Sequence, residues 1–468
     1  PPRLAQLLAD VAQARFVSGD FDAGLLDDRV THAVFKSPGL SPQQVQDLWQ
    51  AAQAQGLWCG GELSLFARAL QSLADERGYR PQVLAITGTN GKTTTVRLCT
   101  HLLKTSGLRV GMTNTDGVYV NGMQLDTGDC SGPRSARSVL MHPDVDAAVL
   151  ETARGGMLRE GLAFDRCQVA VVTNIGAGDH LGLNYISTVE DLAVLKRVIV
   201  QNVSPQGIAV LNANDPMVAA MAPNCPGQVT FFAIDPHHPV LATHRAQGKR
   251  VLYVQDGHIV AQEGASQVRI ALAEVPLTQN GAIGFQVENT LASIGAAWAV
   301  GLSWPAICQG LATFVNDAQA VPGRFNLFSF KGATVIADYG HNPDAIKALV
   351  QAVKNLPAKQ RSVVISGAGD RRDEDIREQT RVIGEAFERV VLYEDACQRG
   401  RADGEVLNLL KQGLQNATLT KDVAEIRGEF IAIDHALDQL TPGDLCLVLI
   451  DQVDEALAHI GKRVAEQR

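Results

Sequence analysis

The chain has 468 residues, which at roughly 150 residues per domain predicts about three domains. Its 46% hydrophobic and 19% charged residues exclude a wholly disordered polypeptide, because there is ample apolar surface to bury. The 41 Lys+Arg against 50 Asp+Glu leave a net charge of −9. That speaks against nonspecific attraction to nucleic acid or acidic membranes, and neither partner is expected. Apolar runs such as Leu445 to Ile450 are far too short to span a bilayer. The eight cysteines are scattered without a C-x-x-C pair, which predicts free thiols in a reducing cytoplasm.

The chain opens Pro1-Pro2-Arg3 with no charged and apolar leader pattern, so no signal peptide is expected. Arg15 to Val17 and Ala33 to Phe35 read as short strands, and Pro42 to Gln55 as a helix with Ser41 as its N-cap. Lys36 to Leu40 forms the turn between strand and helix. Val83 to Thr87 is an apolar run suited to a buried parallel strand. Lys92 to Thr105 then reads as a helix closed by Gly107. Ala147 to Leu150, Val169 to Thr173 and Ile208 to Leu211 read as further buried strands. Thr188 to Val203 reads as one helix, capped by Ser187 or Thr188 with Glu190 in its first turn. Short alternating runs between Asp235 and Leu277 predict small antiparallel strands, and Asn289 to Val300 a small-residue helix. A boundary is expected near Asp317 to Pro322. Beyond it, Thr334 to Ala337, Ser362 to Ile365, Val390 to Tyr393 and Leu445 to Ile450 read as strands of a second α/β unit.

The strongest chemical signal is Thr87-Gly88-Thr89-Asn90-Gly91-Lys92-Thr93-Thr94, which follows a buried strand and opens a helix. Gly88 and Gly91 let the backbone curl so that N–H groups converge on phosphate oxygens. The helix N-terminus adds partial positive charge. Lys92 can neutralise β- and γ-phosphates, and the Thr93 hydroxyl can ligate Mg²⁺. The longer G-x-x-x-x-G-K-[ST] pattern is not met, since its first Gly would fall on Ile86.

Glu151 ends a strand, and strand C-termini of open α/β sheets face the ligand crevice. It reads either as a carboxylate that holds Mg²⁺ or as an ordinary surface Glu. His180 sits on the Gly-rich loop that follows the next strand, as a metal ligand or a structural His. Lys196 interrupts an apolar helix. A buried amine favours its neutral form, which can react with CO₂ to give a metal-ligating carbamate, while a snorkelling Lys is the simpler alternative. Asp338 in Asp338-Tyr339-Gly340-His341-Asn342-Pro343 can bind a ribose hydroxyl or a metal, with Asn342 as N-cap and Pro343 at the first helical position. Arg324, just past the boundary, can reach a nucleotide phosphate.

These motifs together resemble the Mur ligase family. From about Thr87 to Val464 the likeness is to the ligase half of the cyanophycin synthetases, carried by Asp126 to Arg137, Glu151 to Gly156, Gly284 to Asn289, Ser366 to Asp373 and Arg399 to Glu405. The first 80 residues, with Ser37 to Pro42, Gly61 to Leu63 and Phe66, resemble instead the N-terminal domain of the D-glutamate-adding muramyl ligases. In that family this domain holds a uridine nucleotide on a glycine-rich first turn, which is absent here along with its strand. The resemblance to the cyanophycin synthetases covers their ligase half and not their ATP-grasp half. The resemblance implies an α/β, Mur ligase-like three-domain architecture. It has a truncated N-terminal α/β domain (1–80), a central P-loop parallel sheet (81–318) and a C-terminal Rossmann-like α/β domain (319–468).

The resemblance also implies that ATP activates a substrate carboxylate as an acyl phosphate, which an amino-acid amine then captures. Gly88, Thr89, Asn90, Gly91, Lys92, Thr93 and Thr94 would hold phosphates, and Thr93, Glu151 and His180 would hold Mg²⁺. Lys196 aligns with the family's carbamylated lysine. Asn289 would contact adenine, with Arg324 and Asp338 reaching the nucleotide from the C-terminal domain. Gln286 and Gly340 depart mildly from the family's usual Asn and Ala. The implied substrates are an amino acid, arginine above all, and an acidic peptide. A guanidinium wants a bidentate carboxylate, for which Glu394, Asp395, Asp403 and Glu405 are candidates. Arg134 and Arg137, joined by Arg154 and His341, are candidates for the acidic acceptor. The alternatives are a muramyl-peptide acceptor, or an ATP-binding subunit without catalysis. Association into a homo-oligomer is left open.

Overall fold

A computed structural model describes residues 13, 17–26, 30–37, 40–176, 181, 186–394 and 399–467. The chain divides into two compact units, Pro1–Arg80 and Pro81–Arg468. In the first unit, β1 (Ala33–Lys36) pairs in parallel with β2 (Trp58–Gly61). Between them a 3₁₀ turn leads into the helix Gln46–Ala54. Ser41 Oγ accepts the Gln44 amide and Gln44 Oε1 accepts the Ser41 amide, a reciprocal cap. The helix Glu62–Arg77 follows and ends on Gly78 at φ 65°. Of the expected strand Arg15 to Val17, residues 15 and 16 lie outside the described residues, as do Pro38 and Gly39 of the turn.

The second unit is built on two sheets. The larger comprises β3 (Gln82–Thr87), β4 (Val110–Asn114), β5 (Gly117–Val120), β6 (Met123–Thr127), β7 (Ala147–Glu151), β8 (Cys167–Val172), β9 (Val203–Asn212), β10 (Gln228–Phe232), β11 (Val251–Gln255), β12 (His258–Glu263) and β13 (Ser266–Ala271). Its order is β13-β12-β11-β10-β9-β8-β3-β7-β4-β5-β6. The strands from β11 to β4 run parallel, and both edges turn antiparallel. The apolar run in β3 explains its central place: Leu84, Ala85 and Ile86 are fully buried between β7 and β8. Register sets Ile86 opposite Glu151 and Thr87 opposite Val172. The carboxyl ends of these three strands therefore open on one crevice.

The second sheet comprises β14 (Asn326–Phe330), β15 (Ala333–Asp338), β16 (Arg361–Ile365), β17 (Arg389–Glu394), β18 (Asp422–Arg427) and β19 (Leu445–Leu449), in the order β14-β15-β19-β16-β17-β18. Only its edge pair β14–β15 is antiparallel. Two apolar clusters cover its faces, one around Ile336, Val363 and Leu447, the other around Val335, Val364 and Val448. Alternate residues of the same strands feed the two clusters, as a doubly covered sheet requires.

Local structure departs from the sequence expectations at several points. The helix expected over Thr188 to Val203 is two, Val189–Lys196 and Val198–Gln201, and Val203 begins β9. Thr188, not Ser187, caps the first, accepting the Asp191 amide while Asp191 accepts that of Thr188. The helix expected from Asn289 begins at Gly284. The helix Pro239–Ala246 precedes the antiparallel strands expected between Asp235 and Leu277. Edge strands β6, β14 and β18 were not anticipated, because exposed residues blur their apolar pattern, and the short strands β4, β5 and β10 were not anticipated either. Among the described residues, no helix is long and apolar enough to cross a membrane, and the described cysteines are free.

Candidate active site

The loop from Gly88 to Lys92 leaves β3 and enters the helix Lys92–Thr105 through Gly91, whose φ of 81° only glycine adopts readily. The segment after β8 clamps it. Asn174 accepts the amides of Thr89 through its backbone carbonyl and of Asn90 through its side chain, at 2.9 and 2.8 Å. Thr173 Oγ1 donates to Asn90 O at 2.7 Å. The helix then presents its first-turn amides, which a helix leaves without intrahelical acceptors. Lys92 Nζ donates to the carbonyls of Gly88 and Thr89, each at 3.0 Å. Its ammonium thus arches over the loop that a phosphate would fill.

Glu151 ends β7 at 3% exposure. Thr93 Oγ1 donates to one of its oxygens and Thr115 Oγ1 to the other, both at 3.0 Å. A hydroxyl and a carboxylate at this spacing form an oxygen-rich donor set suited to a hard divalent cation. Among the described residues, no three His, Cys, Asp or Glu side chains group to hold a metal. His180, the third ligand expected from sequence, lies outside the described residues. Lys196 is fully buried, and its Nζ donates to Gly88 O. The end of its helix thereby abuts the phosphate loop.

A cleft of about 340 Å³ opens over this loop, and both sheets wall it. Thr89 to Thr94, Glu151 and Asn289 line it from one side, with Arg324, Asp338, His341 and Asn342 from the other. Asn289 Nδ2 donates to Gln286 Oε1 at 3.0 Å. Gln286 is fully buried, and its Nε2 has no hydrogen-bond partner. An orphaned buried donor on a cleft wall is costly unless something else fills the cleft, and a ligand with an acceptor there would satisfy it. Glu288, on the same helix, accepts from Asn214 Nδ2 at 3.1 Å, and burial pushes its carboxyl up.

On the opposite wall, Arg324 follows Gly323 (φ 66°) and precedes Phe325 (φ 57°). Its guanidinium lies 5.3 Å over the Tyr339 ring. Asp338 accepts the Phe325 amide at 2.8 Å, which steadies that left-handed residue. Burial lifts the Asp338 carboxyl to about 6, against the opposing pull of Arg324, the Phe325 and Gly340 amides and His341. His341 Nδ1 contacts Tyr339 O at 2.8 Å and so carries a proton there, while Nε2 lies 3.3 Å from Asp451. The His341 contact holds Asp451 below the usual carboxylate range. Asn342 and Asn90 join the two walls: Asn342 Nδ2 donates to Asn90 Oδ1 at 2.9 Å.

The residues singled out for substrate are not on the cleft wall, apart from His341. Arg134 is exposed at the second position of the helix Pro133–Leu140, and Arg137 pairs with Glu160 at 2.9 Å. Arg154 is buried at the start of the helix Arg154–Glu160. The described members of the acidic set each have a partner within the protein. Glu405 pairs with Arg401 at 2.6 Å, Asp403 with Arg427 at 2.7 Å, and both Glu394 oxygens accept the Gly404 amide. Asp395 lies outside the described residues. Sequence reasoning missed Thr115 and Asn174. Both follow buried strands, the signal that marked Glu151; Asn174 opens the same Gly-rich loop as His180, while Thr115 stands in no recognisable motif.

Two family models match the chain: the Mur ligase middle domain over residues 86–297, and the Mur ligase glutamate ligase domain over residues 323–449. The cyanophycin synthetase of Synechocystis is 42% identical over 386 residues, covering 82% of this chain but 44% of the relative. The chain thus spans less than half the length of such relatives. The UDP-N-acetylmuramoylalanine–D-glutamate ligase of Albidiferax ferrireducens is 28% identical, covering 96% of this chain and 84% of that one. Among solved structures, E. coli FolC in complex with DHPP and ADP superposes with a TM-score of 0.64 at 23% identity, over 87% of this chain and 93% of that one. The two matched domains follow one another along well over half of the sequence, and the protein belongs to the Mur ligase family.

Proposed function

We propose that this chain is an ATP-dependent acid–amino-acid ligase. Its substrate carboxylate attacks the γ-phosphate of ATP, ADP leaves, and an acyl phosphate results. An amine then attacks the acyl carbon, the new C–N bond forms, the C–O bond to phosphate breaks, and the amine gives up a proton. The observation that carries this reading is the phosphate loop with Lys92 and Thr93 set against buried Glu151 in a cleft that a second α/β lobe closes. Phosphoryl transfer asks for charge neutralisation and in-line positioning rather than covalent help.

In this reading Gly88 to Thr94 cradle the phosphates, and Lys92 turns from its loop carbonyls to the β/γ-phosphates. Asn289 and the orphaned Gln286 amide face the base, while Arg324 and Asp338 close on the nucleotide from the other lobe. Thr93 and Glu151, with His180, hold Mg²⁺, which neutralises phosphate charge. Lys196, buried and so favoured as the neutral amine, would add CO₂ and release one proton to form a carbamate. Closure between a central domain (81–318) and a C-terminal domain (319–468) excludes water from the acyl phosphate. The free thiols fit a cytoplasmic setting.

For substrates, the reading follows the cyanophycin synthetase likeness: arginine joined to the side-chain carboxylate of an aspartyl peptide, with Arg134, Arg137 and Arg154 receiving the acidic chain. A second reading, addition of an amino acid to a UDP-linked muramoyl peptide, is favoured by the D-glutamate ligase likeness, which runs through the N-terminal 80 residues as well. The test is a phosphate-release screen that crosses amino acids with aspartyl peptides and UDP-muramoyl acceptors, the products weighed by mass spectrometry. Release that needs arginine and an aspartyl peptide supports the first reading, and release that needs a UDP-muramoyl acceptor supports the second. ATP binding without turnover on any pair would reduce the chain to a binding subunit. Lys92→Ala is expected to abolish release.

A further inference from the structure

Arg97 lies four residues after Thr93, on the same face of the helix Lys92–Thr105. Its side chain is 10% exposed and its guanidinium joins two distant segments. One Nη donates to Asp116 at 2.7 Å, with the Tyr119 hydroxyl at 3.4 Å and the Tyr119 ring 5.3 Å away. The other Nη donates to the backbone carbonyl of Ala320 at 2.8 Å.

The first segment is the turn between β4 and β5. Asn114 Oδ1 accepts the amides of Asp116 and Gly117, which sets the turn's shape. Thr115, between them, reaches Glu151. The second segment is the linker between the two sheets. Asp317 accepts the amides of Gln319 and Ala320, Asn326 donates to Val321 O, and Gly323 donates to Asn326 Oδ1. This chain of bonds leaves little slack between Ala320 and Arg324.

We infer that Arg97 is a positioning residue that ties the interlobe linker to the turn holding Glu151, so that the seat of the second lobe and the placing of the metal-binding carboxylate are set together. A planar fork suits this task, because it reaches two acceptors in fixed directions where an ammonium is a point charge. The inference rests on the functional reading above, through Glu151 and the nucleotide cleft.

The test uses Mn²⁺ as probe. Its affinity for the full chain with ADP is read by electron paramagnetic resonance, and nucleotide-induced compaction by small-angle X-ray scattering. Arg97→Met is expected to weaken Mn²⁺ several-fold, less than the roughly tenfold or more that loss of a ligand's direct partner costs, because it acts on Glu151 through the turn carrying Thr115, and to blunt the compaction. Asp116→Ala cuts only the turn arm, so it is expected to weaken Mn²⁺ and leave the compaction intact. Arg97→Lys is expected to recover one effect and not both. An Arg97→Met chain that melts earlier but binds Mn²⁺ and compacts as the wild type does would overturn the inference. Should that variant not fold, wild-type Mn²⁺ affinity in Asp116→Ala overturns it equally. A wild-type chain that binds neither ADP nor Mn²⁺ would sink this inference and the functional reading together. Intact wild-type binding with unmoved variants would sink this inference alone.

Discussion

A Cβ on Gly91 would lie 2.2 Å from Asn289 Oδ1 on a backbone at φ 81°. Gly107 has a similar φ of 90° with nothing within 4 Å of the same atom. Backbone strain alone is worth about 1–2 kcal/mol at either site, so the pair separates strain from contact. Gly107→Ala is expected to lower Tm by a few degrees and leave ATP affinity unchanged. Gly91→Ala is expected to weaken ATP at least tenfold by calorimetry, because Asn289 must move. Asp338 carries a different signature. Burial raises its carboxyl from 3.8 to about 6, so the folded chain holds that proton more tightly than the unfolded one. The resulting stability is full below pH 3.8 and is lost as pH rises through 6, about 3 kcal/mol in all. Asp338→Asn keeps the acceptor for Phe325 and cannot ionise. Urea unfolding is expected to show the wild type losing about 3 kcal/mol relative to this variant between pH 3 and pH 7. A constant difference would mean that Asp338 is ionised throughout.

Helix starts show which parts of the site are legible locally. Asn342 accepts the Ala345 amide at 2.9 Å with Pro343 behind it, as those neighbours imply. Its Nδ2 also reaches Asn90, 252 residues away, which no local pattern contains. Asn342→Ala is expected to cost about 1 kcal/mol as a lost cap. Asn342→Asp keeps the cap acceptor and loses the donor to Asn90. It is therefore expected to unfold like the wild type in urea yet bind ATP more weakly. The phosphate loop was readable for the same local reason, since strand, glycines, Lys92 and Thr93 are contiguous. Glu151 was readable as the end of an apolar run. Thr115 was not, because the pairing of β4 with β7 delivers it to Glu151. Glu394, Asp403 and Glu405 read in sequence as charges without partners. The fold supplies Arg401, Arg427 and the Gly404 amide. The break at Arg197 was equally hidden, since the apolar spacing continues across it.

At the scale of the second unit, the cleft belongs to neither sheet. Gly176, after β8, approaches the helix Pro343–Asn355 so closely that a Cβ would lie 2.5 Å from Asp344 Oδ2. With the Asn90–Asn342 pair and the Phe285–Phe325 ring contact at 5.6 Å, this marks a seam of mixed polar and apolar contacts between the two lobes. Seams between lobes open more easily than the cores they join. A ligand bridging the seam lends its binding energy to both sides. At a hundredfold excess over Kd, that is about 2.7 kcal/mol against unfolding. Hydrogen exchange with ATP and Mg²⁺ is expected to slow in the amides after β3 and, equally, in those around Tyr339 after β15. In Arg324→Ala, whose truncation removes a cationic contact from the second wall only, protection is expected to persist after β3 and fade after β15. Protection lost on both sides would make Arg324 part of the primary binding surface. Protection kept on both would mean that the seam stays closed without it, and that closure rests on the other contacts across it: the asparagine pair, the Phe285–Phe325 ring contact and the tight approach at Gly176.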